Sequence, residues 1–514
     1  MSIIDAVSDG ADELLRINIY VGRKDNEMES LNRAKTGKVE RPVRVLQFGE
    51  GNFLRAFVDY MIDIANERGV FDGDIVLVKP IEYGSLEHMK AQECQYTVQL
   101  RGIVDGEPRK INRIVTSVAD AVDAYSEYEK YAAFAKLDTL RFIVSNTTEA
   151  GIVYDEEDRL EFTPPRSYPG KLTKLLYERY QYFKGALDKG VIILPVELID
   201  DNGIHLKECV HKLSGLWELE EGFEHWLEEA CVFTSTLVDR IVTGYPREEA
   251  EQIFEELGYR DSMLVTGEPF ALWVIESERD ISKELPLPAA GLPVIFTDNQ
   301  KPYKQRKVRI LNGAHTSFVL ASYLCGNDIV LESMEDELIF RFMKDTVFGE
   351  IIPTLTLPKE ELVDFANAVI TRFKNPYVKH ALLSISLNSV SKWRARCMPS
   401  FLGYLEKEGK LPEHLTFSLA ALMAFYTGSE IRDNALIGHR NGAEYRILDD
   451  EAVLEFFKEN SGKEAADYAH AVLANVDFWG QDLSALPGVQ AAITSYLADI
   501  RALGMRGAME KFFG

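Results

Sequence analysis

The apolar run VRVLQF (Val43–Phe48) stops at Gly49-Glu50-Gly51, and a helical pattern begins directly behind it. This junction restricts the fold more than any other stretch of the chain. Six mostly apolar residues with β-branched members mark a buried strand. In the segment that follows, Phe53, Phe57, Tyr60, Met61 and Ile64 share one broad helical face, and Gly69 supplies a stop. Ile75–Val78 then reads as a second buried strand. Strand, tight turn, helix and strand in that order form a right-handed parallel crossover. The first glycine permits the turn, the second lets the backbone approach a pyrophosphate, and the helix N-terminal amides face that anion. Phe48, Gly49, Gly51, Asn52 and Phe53 are thus candidate cofactor-binding residues. The motif departs from its strict form twice. Leu54 stands where a third glycine belongs, and the second strand ends in Lys79-Pro80 instead of the acidic residue that holds a ribose 2′-hydroxyl. Lys79 at that place would favour a 2′-phosphate. The plain alternative is a glycine pair in a βα turn that binds nothing.

The alternation continues, with strands expected at Gln95–Leu100, Ile111–Val115, Arg141–Asn146 and Val191–Glu197 and helices at Ala121–Lys136 and Lys171–Leu187. A last strand pair is expected in Leu264–Val274 and Val294–Thr297. Such alternation predicts an α/β fold with a doubly wound, Rossmann-type sheet. Beyond about residue 300 helical periodicity dominates, from Lys307–Leu324 and Lys359–Phe373 to Gly488–Leu503, so a mainly α-helical C-terminal domain is expected. The Pro-rich segment Glu284–Val294 marks the boundary. The expected division is an N-terminal arm over 1–40, a dinucleotide-binding domain over 41–290 and a helical substrate domain over 291–514.

Composition narrows the partners. With 57 Lys+Arg against 82 Asp+Glu the formal net charge is −25, which argues against nucleic acid and against an anionic membrane surface. Cys94, Cys209, Cys231, Cys325 and Cys397 are scattered with no CxxC pair, so neither a disulfide framework nor a zinc finger is expected. The first residues lack a basic and apolar leader, which predicts a cytoplasmic protein.

The second chemical signal opens the helical half: Lys307-Val-Arg-Ile-Leu-Asn312-Gly-Ala-His315. At about 100° per residue Lys307, Asn312 and His315 share one face of an α-helix. A lysine desolvated in a cleft can act as a general acid and base. Asn and His supply neutral hydrogen-bond donors to a carbonyl or a developing alkoxide. Read alone, the pattern also suits a solvated lysine and a core histidine.

Taken together, LQFGEGNFLRAF, VDRI (Val238–Ile241), GEPFALWVIE (Gly267–Glu276), KVRILNGAH and NPYVKH (Asn375–His380) resemble the long-chain polyol dehydrogenases, the mannitol dehydrogenase family. The five motifs stand in the family's order. The resemblance implies a metal-independent, NAD(H)-dependent oxidoreductase with a Rossmann-type domain, a helical domain and the active site between them; NADP(H) stays open. It implies that Lys307 is the general acid/base, that Asn312 and His315 hydrogen-bond the reacting oxygen, and that Asp239 approaches substrate hydroxyls. It implies a proton relay at Glu149 and substrate contacts from Lys392 and Arg396. LPVELIDDNG (Leu194–Gly203) and ISLNSVSKWRARCMPS (Ile385–Ser400) resemble the branch acting on uronates, which implies interconversion of tagaturonate and altronate, with a small sugar acid as the partner. The other candidates are fructuronate/mannonate, mannitol/fructose, and a non-catalytic dinucleotide-binding regulator on the same fold. Lys392, Arg394 and Arg396 alternate, which suits an extended segment with one basic face. His380 reads as structural. Mannitol-type members carry Asp-Asn where this chain has Glu197-Leu198, so the oxygen site must rest more on Asn312 and His315, or on another donor. The oligomeric state is left open.

Overall fold

A computed structural model describes residues 28–148 and 150–514. Most of the expected arm and Glu149, the expected relay, lie outside the described residues. The chain divides into two units: the described residues up to Leu100 with Lys110–Asp298, and Arg101–Arg109 with Asn299–Gly514.

The first unit is built on a six-stranded parallel sheet of β1 (Val43–Phe48), β2 (Asp74–Lys79), β3 (Val118–Asp123), β4 (Phe142–Ser145), β5 (Ile192–Pro195) and β6 (Val232–Phe233). Its order is β3-β2-β1-β4-β5-β6, so chain direction across the sheet reverses between β1 and β4. Ligands of such sheets bind beyond the strands' C-terminal ends at that reversal. Alternate residues serve two cores. Leu46, Phe48, Val76, Val78 and Ile143 face one, while Val45, Ile75, Leu77, Phe142 and Val144 face the other. Burial on both faces explains why these strands read as continuous apolar runs.

Two expectations in this unit are corrected. Ala121–Lys136 is not one helix: Val118–Asp123 pairs with β2 as an edge strand, and only Tyr128–Ala133 is α-helical. Ala121 and Val122 are fully buried there, and ladder pairing overrides local helix propensity. Leu264–Val274 is not one strand either. The Glu268-Pro269-Phe270 connection splits it into Val265–Gly267 and Leu272–Glu276, which belong to different sheets. Leu272–Glu276 lies between Ser235–Asp239, antiparallel, and Val294–Thr297, parallel.

The second unit is organised on Gly313–Leu324 and Glu413–Phe425, helices buried almost all round, with the helical segment Val489–Phe513, broken at Gly504, packed on them. It also holds a three-stranded sheet, Ile431–Arg432, Ala435–Arg440 and Ala443–Ile447, that helical periodicity did not reveal. Its turns are Asp433-Asn434 and Asn441-Gly442, all at positive φ, the two-residue geometry that matches strand twist. Among the described residues no helix is long and apolar enough to cross a membrane.

Candidate functional site

The glycine turn stands at the C-terminal end of β1. Gly49 has φ 121°, and a Cβ there would lie 3.0 Å from the Asn146 carbonyl oxygen and 3.1 Å from Leu54 Cδ1, so the backbone requires glycine. A Cβ on Gly51 would meet nothing within 4 Å, which leaves the room a pyrophosphate needs. The helix opens at Asn52–Leu54 and at once widens into a π-turn, Arg55–Asp59. Arg55 folds back over the turn: Nη2 donates to Asn52 Oδ1 (2.6 Å), Nε to the Glu50 carbonyl (3.2 Å), and Nη1 to the Met263 carbonyl. Phe53 stacks on Phe57 at 5.0 Å. Phe48 presents backbone alone to this region, because its ring is buried against Tyr131 and Tyr168. Beyond the ends of β2 and β4 opens a cleft of about 770 Å³ whose walls include Pro80, Ile81, Thr147, Val153, Tyr154 and Asp155. It is of cofactor-site size, and Gly49, Gly51, Asn52 and Phe53 are not among its walls. The donor set and the open space at Gly51 fit a dinucleotide.

Lys79 is held by its own loop. Its buried Nζ donates to the carbonyls of Ile81 (2.7 Å), Glu82 (3.1 Å) and Tyr83 (3.1 Å) and pairs with Asp123 (3.1 Å). The lysine therefore shapes the loop after β2, where a 2′-phosphate contact was expected of it. Glu197 is likewise internal. Burial raises its pKa, while the carboxylate accepts from Thr147 N and Oγ1 (both 3.0 Å) and Ser145 Oγ (3.1 Å), holding the loop after β4. Leu198 is 66% exposed. Asp239 ends the strand Ser235–Asp239 opposite Leu272 and is buried.

In the second unit the Lys-Asn-His motif does not form a plain α-helix. Lys301–Arg306 is α-helical, Lys307–Asn312 is a π-turn, and Gly313–Leu324 resumes the α-helix. Lys307 and Asn312 stand at i and i+5, the spacing that a π-turn closes, so they stack one turn apart. Both are half-buried. His315 lies one turn further along, stacked on Phe373 at 4.1 Å and edge-on to His380 at 5.4 Å. Burial, together with His380, Arg372 and Arg396, holds its pKa well below 6.5, so the ring is neutral. Its Nε2 is buried with no hydrogen-bond partner among the described residues. An inward-facing imidazole nitrogen left in this state suits an oxygen ligand.

The basic segment is a helix, Ser389–Arg396, not an extended strand. Helical spacing puts Lys392 and Arg396 on one face at i,i+4 and turns Arg394 away toward the Asp477 carbonyl (3.3 Å). Lys392 Nζ donates to the Ile385 carbonyl (2.9 Å). Arg396 Nη1 reaches Thr316 Oγ1 at 3.4 Å, beside His315. Gly313 makes that proximity possible, since a Cβ there would crowd the Arg396 carbonyl oxygen at 3.2 Å. Thus Asn312, His315 and Arg396 are gathered in one region. Spacing missed the π-turn and Gly313 alike, although glycine inside a helical pattern is a signal of close approach. Among the described residues no group of three or more His, Cys, Asp or Glu is arranged to hold a metal ion, and no cysteine is paired.

Comparison with known proteins now adds a family. Residues 43–288 match the mannitol dehydrogenase Rossmann domain and residues 299–501 the mannitol dehydrogenase C-terminal domain. The altronate oxidoreductase of Pectobacterium atrosepticum is 45% identical over 493 residues, covering 94% of this chain and all of that one. Those of Yersinia pestis and Escherichia coli O9:H4 are 44% and 45% identical over 492 and 489 residues, each covering 94% of this chain and 100% and 99% of their own. Among solved structures, substrate-free D-sorbitol dehydrogenase aligns at TM-score 0.76 with 19% identity, covering 93% of this chain and 100% of its own. Pseudomonas fluorescens mannitol 2-dehydrogenase, in ternary complex with NAD and D-mannitol, aligns at TM-score 0.63 with 20% identity, covering 94% and 99%. With both family domains matched in order across most of its length, the chain belongs to the mannitol dehydrogenase family.

Proposed function

We propose that this protein is an NAD(H)-dependent oxidoreductase that interconverts tagaturonate and altronate. The observation that carries the substrate is the likeness to altronate oxidoreductases along nearly the whole chain. The bound nicotinamide dinucleotide supplies or accepts the hydride. Gly49 and Gly51 let the backbone close on its pyrophosphate, with the amides of Asn52 and Phe53 behind them. Lys307 donates a proton to the keto oxygen during reduction and takes it back from the hydroxyl during oxidation. Asn312 and the neutral His315 hydrogen-bond the same oxygen and stabilise the charge that builds on it. Asp239 meets the substrate hydroxyls. Arg396, with Lys392 on the same helical face, receives the carboxylate, because a planar guanidinium matches carboxylate geometry. Glu149 is the proposed relay between Lys307 and water. NAD(H) is favoured over NADP(H) because the one cation at the end of β2 is spent inside its own loop.

The test is oxidation of NADH and of NADPH with tagaturonate, fructuronate and fructose. Tagaturonate with NADH should give the highest kcat/KM. A preference for fructose would defeat the carboxylate assignment, and NADH binding without turnover on any of the three would point to a regulator. Lys307→Ala should lower kcat by about 10³ or more with the NADH Kd nearly unchanged, since proton transfer acts in the transition state. Near-normal turnover in that variant would remove Lys307 from the role.

A further inference from the structure

The arginine of Val238-Asp239-Arg240-Ile241 has no part in the mechanism above, yet its side chain is 8% exposed. All three of its hydrogen bonds go to main-chain carbonyls: Nη1 to Ala56 (2.6 Å), Nε to Phe270 (3.0 Å) and Nη2 to Pro269 (3.1 Å). The guanidinium carbon also lies 5.1 Å from the centre of the Tyr60 ring. Burial pushes its pKa down to about 10.

The three acceptors belong to two segments that matter for the reaction. Ala56 is inside the π-turn behind the cofactor-binding glycines. Pro269 and Phe270 form the connection into Leu272–Glu276, the strand that pairs with Asp239 through Leu272. The next residue tightens the same junction: Ile241 N donates to Glu268 Oε1 (2.6 Å), and Glu268 N donates to the Ile241 carbonyl (2.9 Å). The Glu268 carboxylate lies near enough to favour the charge, but the hydrogen bonds themselves go to neutral carbonyls, and a buried cation held in this way is a poor means of gaining stability compared with an apolar side chain of similar volume. What the guanidinium offers instead is a rigid planar fork that fixes three carbonyls at once, which lysine cannot reproduce.

We propose that Arg240 is a positioning residue that locks the start of the cofactor helix to Asp239, and so links dinucleotide binding to sugar-acid binding. This rests on the reading that the glycine turn holds the dinucleotide and that Asp239 meets the substrate. Arg240→Lys should raise the NADH Kd and the KM for tagaturonate together, each roughly tenfold, with kcat at saturation falling less. In the Asp239→Asn background, Arg240→Lys should still weaken NADH binding but no longer raise the KM for tagaturonate. A residue that merely supports the fold would lower the melting temperature and leave that dependence on Asp239 absent. Tyr60→Leu, which removes the ring and keeps the three hydrogen bonds, should move both constants in the same direction by a few-fold. The proposal is overturned if Arg240→Lys, or Tyr60→Leu should the lysine variant not fold, leaves both constants at wild-type values, or shifts one without the other. Failure of the wild type to bind NADH or to reduce tagaturonate would instead refute the underlying functional reading.

Discussion

Replacing Asp59 by asparagine should stabilise the protein, and by more at alkaline than at acid pH. The carboxyl lies in the π-turn behind the glycines and has no exposed surface. Tyr96 donates its hydroxyl to Oδ2 at 2.6 Å, and Oδ1 is buried without a partner. Burial, opposed by the Tyr96 hydroxyl, the neighbouring Gln47 amide and the Arg55 cation, raises the pKa from an ordinary 3.8 to about 7. Between those values the folded chain keeps a proton that the unfolded chain has released, so stability falls as pH rises through this window. At roughly 1.4 kcal/mol per pKa unit the full penalty above the folded pKa amounts to ~4 kcal/mol, of which ~2 kcal/mol is already present at pH 5. Asparagine is isosteric, keeps an acceptor for Tyr96 and never ionises. Its amide also brings a donor toward Gln47, which lies against the carboxyl and has an Oε1 buried without a partner. Urea unfolding of both proteins at pH 5 and pH 8 reads the difference. An asparagine variant that is less stable at pH 8, or whose advantage is equal at the two pH values, would show that the buried carboxyl is not the titrating group.

Other perturbations separate fold from chemistry. Gly49→Ala sets a Cβ against the Asn146 carbonyl at a φ closed to other residues, so it should destabilise the first unit by about 2 kcal/mol and abolish NADH binding. Gly51→Ala has open space in the fold, so its melting temperature should hold while the NADH Kd rises by about tenfold or more if the pyrophosphate sits there. Arg396→Gln should raise the KM for tagaturonate by roughly 10–100-fold and leave activity on neutral fructose little changed, read in the same NADH assay. Because burial keeps His315 neutral, His315→Gln should lower kcat by roughly 10²-fold at every pH between 6 and 9 without changing the shape of the pH profile. A lost acid limb would mean that the imidazole titrates.

How far these sites could be read in the sequence depended on whether their cause was local. The β1-turn-helix-β2 unit is local: buried strands announce themselves as apolar runs, and Gly49 is needed because its own φ is positive. The fate of Lys79 was not local. An ammonium at the end of β2 reads as an anion site until the following loop is seen to wrap three carbonyls around it. Val118–Asp123 failed for a similar reason, since its strand character comes from pairing with β2 rather than from its own residues. The basic segment failed by period: three bases at every second position suit a strand, but Trp393 and Val390 bury the helical face that decides the matter. The hairpin at Ala435–Ile447 is legible through Asn441-Gly442, a turn signal set inside a region of helical periodicity.

The two π-turns explain the motif's departures from its strict form. In the strict turn a third glycine lets the helix pack tightly on the first strand. Here Leu54 occupies that place, fully buried, with its Cδ1 where a side chain on Gly49 would go. The room that Gly49 gives up is thus filled by Leu54, and the contact between helix and strand becomes side chain against backbone. The helix behind it widens at Arg55–Asp59, with Phe57, Met61 and Ile62 buried, Ala56 accepting from Arg240 and Asp59 accepting from Tyr96. The second π-turn does the corresponding work at Lys307–Asn312. On a regular α-helix these residues stand about 140° apart, at the two edges of one broad face, and the wider turn narrows that angle. These two irregular turns fall within the two sequence motifs, whereas a third, Thr346–Ile351, lies outside them, and each of the two is read in the sequence only as a spacing that fits the α-helical period imperfectly.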